Sequence, residues 1–181
     1  MPRKLLLQMH ISLDGKVSGP DNSFDWATHN WDDALNAHIT ALMATVDHIL
    51  IGRKLGEGFI PHWRANPELE GAAKINATKK TVISRSLETS PWGEGVEVAN
   101  RIEDVVARLK AEDGGNIITY GGAETAQKLV AAGLVDDLHL IVDPVAIGGG
   151  TSLFTTRADY QLMSVKAFEC GVSVAHYRPK N

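Results

Sequence analysis

The 181-residue chain is short of several things at once. It has one cysteine, Cys170, which excludes an internal disulfide and fits a reducing, cytoplasmic compartment. No apolar stretch approaches the ~20 residues of a bilayer-spanning helix. The N-terminal MPRKLLLQMHIS, broken by Gln8 and His10, reads as a first strand rather than a leader. Positive charge is not in excess: 18 Lys+Arg stand against 22 Asp+Glu, a net charge of −4. Neither a nucleic acid nor a membrane surface is therefore the expected partner. G-x-G-x-x-G, G-x-x-x-x-G-K-[ST] and G-x-S-x-G are all missing. The seven histidines show neither H-E-x-x-H nor a short paired spacing, so no metal site is expected. Hydrophobic residues make up 44% of the chain, enough for a core, and residues 1–181 read as one domain.

What is present alternates. Lys4–Ile11 (KLLLQMHI) predicts a strand, followed by an Asp14-Gly15 turn and Lys16-Val17-Ser18. Trp31–Val46 has Trp31, Leu35, Leu42 and Val46 at helical spacing. Asp32 and Asp33 fall in its first turn, where the helix dipole favours negative charge. His48–Ile51, Thr81–Ile83 and Asn116–Tyr120 predict short buried strands. Ala72–Thr78, Ile102–Glu112 and Ala123–Ala132 predict helices, the last stopped by Gly133. Further on, Leu138–Val142, Met163–Ala167 and Val172–Tyr177 alternate with period two, the last two as an antiparallel hairpin turned at Glu169-Cys170-Gly171. The class implied is α/β, with a sheet parallel in its middle and antiparallel at its C-terminal end.

The polar punctuation is the most informative feature. Three short apolar strands end at Gly52-Arg53-Lys54, Ser84-Arg85 and Gly121-Gly122, the glycine pair opening the helix at Ala123-Glu124. In an open parallel sheet, ligands bind beyond the carboxyl ends of the strands. Glycines let a backbone approach a phosphate, helix amides favour an anion, and guanidiniums fork onto a second phosphate. The combination points to a dinucleotide, and the extra cations favour the 2′-phosphorylated form, NADPH. Each part also has a plainer use, as a tight turn or a solvated charge. A second cluster, Gly148-Gly149-Gly150, either passes close to a ligand or forms a flexible loop. Proton-donor candidates are Asp14 and Asp32 or Asp33, with hairpin and capping chemistry as their alternatives. Trp26 and Trp31 are candidate walls for a flat substrate or ordinary packing residues.

Taken in order, these segments resemble the dihydrofolate-reductase-like superfamily. Within it they are most similar to the family of the C-terminal reductase domain of the bifunctional riboflavin-biosynthesis deaminase–reductase, in its small stand-alone form. The resemblance rests on Ser12-Leu13-Asp14-Gly15, Gly19-Pro20 with Phe24-Asp25-Trp26, Gly52-Arg53-Lys54 with Glu57 and Trp63, and Val82-Ile83-Ser84-Arg85. It continues in Tyr120-Gly121-Gly122-Ala123, Gly133–Leu138, Pro144-Val145, Gly148-Gly149-Gly150 and Leu153-Phe154. It implies a three-layer sandwich around a mostly parallel sheet of eight or nine strands, and a homodimer. The implied activity is NADPH-dependent hydride transfer to a pterin-like or ribosylaminopyrimidine substrate. Arg53, Lys54, Ser84 and Arg85 would meet the 2′-phosphate side, with Gly52 beside them. Gly121, Gly122 and Ala123, with Glu124, would cradle the pyrophosphate. Leu13, Asp14, Trp26 and Gly149 would line the substrate end. Two departures stand out: Tyr120 replaces the Glu that riboflavin reductases carry before Gly-Gly, and Leu55 replaces the Thr usual after G-R-K. A non-catalytic NADP(H)-binding module is the alternative these departures raise.

Overall fold

The computed structural model describes residues 3–180. Its centre is an eight-stranded sheet built from β1 (Leu5–Ser12), β3 (Val46–Gly52), β4 (Lys79–Ile83), β5 (Val96–Ala99), β6 (Asn116–Gly121), β7 (Asp137–Asp143), β9 (Tyr160–Ala167) and β10 (Ser173–Pro179). The strand order is β5-β4-β3-β6-β1-β7-β10-β9. All pairings from β5 to β7 are parallel, and β10 is antiparallel to both its neighbours. A short ribbon pairs β2 (Lys16–Ser18) with β8 (Thr151–Ser152).

Parallel strands covered on both faces are apolar on both faces. Leu5, Leu7, Ile49, Leu50, Ile51, Ile117 and Ile118 are accordingly fully buried. One face of the sheet packs α4 (Ile102–Ala111) and α5 (Ala123–Ala131) through Val105, Val106, Leu109, Ala126 and Leu129. The other packs α1 (Asp33–Ala44), α2 (Arg53–Ala65) and α3 (Ala72–Ala77) through Met43, Ile60 and Ile75. The result is three layers.

The helix expected over Trp31–Val46 is shorter at both ends. Asp32 is its N-cap, its side chain accepting the Leu35 N–H, and Val46 already belongs to β3. The sequence reading places no helix in the segment after Gly52, which contains Gly56, Gly58 and Pro61. Residues 53–65 nevertheless form α2. Tertiary packing overrides propensity here: Gly56 and Ile60 are buried on the helix face that meets the sheet, Gly56 beside Val82.

Candidate active site

Topology fixes where a ligand enters. β3 and β6 are parallel neighbours, yet α2, which follows β3, packs on one face and α5, which follows β6, on the other. Connections that diverge in this way open a crevice beyond the carboxyl ends of the strands. A cavity of about 1350 Å³ opens there. That exceeds the ~300–1,000 Å³ of a single small-ligand pocket and is room for a dinucleotide together with a second molecule.

One end is cationic. Gly52, Arg53 and Lys54, Ser84 and Arg85, and Gly122, Ala123 and Glu124 all line it. The three strand ends singled out in the sequence therefore converge. Lys54 Nζ reaches Glu124 Oε1 at 3.3 Å across the first turns of α2 and α5. A Cβ on Gly52 would lie 2.2 Å from Thr125 Oγ1, so only glycine lets the two turns approach so closely. Both helices start at a glycine without a side-chain cap, leaving first-turn amides free for an anion. Arg53 Nη1 donates to Glu57 Oε1 at 2.5 Å. Arg85 is exposed. Arg53, Lys54, Lys74, Arg85, Arg101 and Lys128 line the cavity against Glu70, Glu103 and Glu124, a local positive excess in a chain of net −4. Gly121 does not line the cavity. It stands just behind the wall at φ +97°, packed towards Met9.

Another part of the wall is aromatic. Phe59, Trp63 and Tyr120 close one side, with the Phe59 and Tyr120 ring centroids 5.4 Å apart. Tyr120 donates its hydroxyl to Met43 Sδ at 2.8 Å, and burial pushes its pKa well up, so it stays a neutral phenol. α1 contributes Asn36, Ile39, Thr40 and Met43, and β1 contributes Gln8 and His10. The His10 ring rests against Phe24 and Trp31. Its Nδ1 lies 2.7 Å from Asp143 Oδ2, while Asp143 Oδ1 accepts the Thr28 N–H at 2.6 Å. Burial alone would raise the Asp143 pKa, but hydrogen bonds from His10 and Thr28 outweigh it and lower the value.

The expected substrate-side residues lie elsewhere. Asp14, Asp32, Leu13, Trp26 and Gly149 are all absent from the cavity wall. Asp14 accepts the Ser12 hydroxyl at 2.6 Å and the Ile147 and Gly148 N–H groups at 3.1 and 2.8 Å. Those bonds, the Ser12 one foremost, lower its pKa to about 2. It clamps two loops together. Asp32 gives one oxygen to Leu35 N–H at 2.7 Å and the other to Cys170 N–H at 2.9 Å, so it caps α1 and ties down the hairpin. Leu13 is exposed and held through its backbone N–H on Val145. Trp26 donates to the Ser23 carbonyl at 3.3 Å, although its neighbour Phe24 does line the cavity. Gly149 abuts Pro20. Gln8 and His10 went unrecognised as site residues. The available signal was two polar side chains at alternate positions of an otherwise apolar strand, which puts both on one covered face.

Comparison with known proteins now decides the family. The model of the RibD C-terminal domain matches residues 3–174. The chain belongs to the RibD C-terminal domain family. Over 178 residues it is 29% identical to the uncharacterised protein YyaP of Bacillus subtilis (strain 168), covering 94% of this chain and 92% of that one. A pyrimidine reductase-like protein from Corynebacterium diphtheriae superposes with a TM-score of 0.71 at 16% identity, over 99% of this chain and 92% of the other. The dihydrofolate reductase of Enterococcus faecalis, solved in complex with NADP(H), gives 0.64 at 15% identity over the whole of both chains. The architecture of this RibD C-terminal domain is thus of the dihydrofolate reductase type. Among the described residues, no helix is long and apolar enough to cross a membrane.

Proposed function

We propose that the protein is an NADPH-dependent reductase of a small pterin-like or ribosylaminopyrimidine substrate. Membership of the RibD C-terminal domain family supports a reductase-type activity. The observation that carries the coenzyme assignment is the convergence of the β3, β4 and β6 ends on one cationic end of the cavity. The residues there fit the coenzyme: α2 and α5 offer uncapped amides, Gly52 and Gly122 leave the backbone bare, and Arg53 and Arg85 match a phosphate's geometry.

NADPH supplies a hydride when bound, and the chain supplies the rest. Arg53, Lys54 and Arg85 would hold the 2′-phosphate side, and the amides of Gly122 to Glu124 would hold the pyrophosphate. Phe59, Trp63 and Tyr120 keep water from the reacting end. Asp143 holds the His10 ring through Nδ1–H, which leaves Nε2 as the ring nitrogen without that partner, and His10 lines the cavity. As an imidazolium, His10 gives the Nε2 proton to a substrate heteroatom and takes it back from solvent. Neither Asp14 nor Asp32 is needed as the acid.

Two copies pair through the C-terminal strands. β9 is an edge strand with Leu162, Met163 and Val165 at 53%, 40% and 55% exposure, and an unpaired apolar edge is a template for a partner. The enzyme assignment is tested by incubation with NADPH and a panel of pterins and ribosylaminopyrimidines, followed at the nicotinamide absorbance. Turnover of a panel member supports it. NADPH binding without any turnover favours a non-catalytic binding module.

A further inference from the structure

Gln8 is 6% exposed, lies on the cavity wall, and its Oε1 is buried with no hydrogen-bond partner among the described residues. A buried, unpaired carboxamide oxygen is costly, and nothing in the packing of β1 requires a polar side chain there. Leu6, on the same face, is simply apolar core. We infer that Gln8 is the residue that selects the substrate, its carboxamide pairing with the cyclic-amide edge of a flat, uncharged heterocycle seated between β1 and α1. The inference rests on the reductase reading of this cavity and goes beyond it in naming the edge recognised and the side chain that recognises it.

The chemistry follows from what surrounds Gln8. A carboxamide offers an acceptor and donors side by side, and its terminal torsion is broad, so either end can swing to a ligand. The edge that matches it with two parallel bonds is a ring N–H beside a ring C=O. Of the polar residues lining the cavity, Asn36 and Thr40 come from α1 and His10 from β1, while the carboxylates of the lining, Glu70, Glu103 and Glu124, lie on neither element. Neither β1 nor α1 therefore brings a carboxylate to balance a protonated, amidine-type ring. His10 lies two residues along the strand, about 6.6 Å away. The two side chains therefore meet different parts of one ring system: Gln8 at its amide edge and His10 at the atom that takes the proton.

The test uses a matched pair of bicyclic rings: lumazine, whose edge is a cyclic imide, and its diamino analogue. Binding to the full chain is read by calorimetry and by quenching of Trp31 and Trp63, both on the cavity wall, with NADPH titrated separately. Wild type should prefer lumazine. Gln8→Met should lose lumazine affinity by about tenfold or more, and Gln8→Glu should reverse the preference towards the diamino ring. Removing the unpaired oxygen should also raise the Tm of the ligand-free Gln8→Met protein by several degrees. Unchanged preference in both variants, a lower Tm in Gln8→Met, or no lumazine binding to wild type at millimolar concentration each overturns the inference. A loss confined to NADPH would assign Gln8 to the coenzyme's own carboxamide and overturn it too. Failure of wild type to bind NADPH while lumazine binds and the Gln8 variants respond would instead sink the coenzyme reading alone.

Discussion

His10 Nδ1 lies 2.7 Å from Asp143 Oδ2, and that carboxylate is completely buried beneath the cavity wall. The pair joins β1 to the end of its parallel neighbour β7, so the ring is fixed by the sheet itself and not by a loop. His10→Gln should lower kcat by about 10²–10⁴-fold and leave NADPH affinity near wild type. Steady-state kinetics on any ring that supports NADPH oxidation, with a coenzyme titration beside it, reads both. Asp32→Asn, by contrast, should lower Tm and spare kcat, because both its oxygens are engaged by backbone N–H groups away from the cavity.

The cationic end makes a separate prediction. Arg53→Ala and Arg85→Ala should each weaken NADPH by about 10–100-fold, the worth of a charge-assisted hydrogen bond. NADH, which lacks the extra phosphate, should lose much less. Fluorescence titration of both coenzymes gives the ratio. Equal losses would take these guanidiniums away from the phosphate.

Gly52 and Thr125 make the closest approach between the turns that open α2 and α5. A Cβ on Gly52 would stand 2.2 Å from Thr125 Oγ1 and 3.3 Å from Thr125 Cβ. Gly52→Ala should therefore cost about 1–3 kcal/mol of stability and weaken NADPH, since both first turns shift. Adding Thr125→Ala removes the worst clash and should restore most of the loss. A double variant no better than Gly52→Ala would mean the turns do not meet as described.

The strand ends were legible because each apolar run stops abruptly at a basic or glycine residue, and a parallel sheet gathers such ends on one edge. α2 is hidden because Gly56, Gly58 and Pro61 all read as breakers, although Gly56 and Ile60 are buried on the helix face that meets the sheet. β5, Val96–Ala99, was missed in a polar stretch whose pairing with β4 is invisible locally. The substrate-side candidates lie off the cavity wall for a related reason. Asp14 and Asp32 are acidic residues in turn and capping positions, and each also holds backbone N–H groups from 133–138 positions away in the chain, which local sequence does not reveal. Gln8 and His10, which do face the cavity, look in sequence like interruptions of a strand.

The exposed edge gives a different kind of test. Leu162→Lys together with Val165→Lys should convert a dimer to a monomer in sedimentation equilibrium, because charges on an edge strand block pairing. Coenzyme affinity should be unaffected, since β9 lies at the far edge of the sheet from β3 and β6. A wild-type monomer at micromolar concentration would refute the pairing outright.

Acid stability should be governed in part by His48. This residue is buried in β3, and its Nε2–H donates to Thr81 Oγ1 at 2.8 Å, while that hydroxyl donates to Glu97 Oε2 at 3.2 Å. Burial, and then the nearby Arg3 charge, pull its pKa down to about 4 from 6.5. The folded protein thus holds the neutral ring, and as pH falls through 6.5 the unfolded chain takes the proton first. Its contribution is complete above pH 6.5 and fades between 6.5 and 4, by at most about 3 kcal/mol. His139, also lowered to about 4 by burial and by His176, acts in the same direction. Denaturant midpoints taken between pH 7 and pH 4 should fall in wild type and fall less steeply in His48→Gln. Parallel slopes for the two proteins would remove His48 as a source of the acid sensitivity.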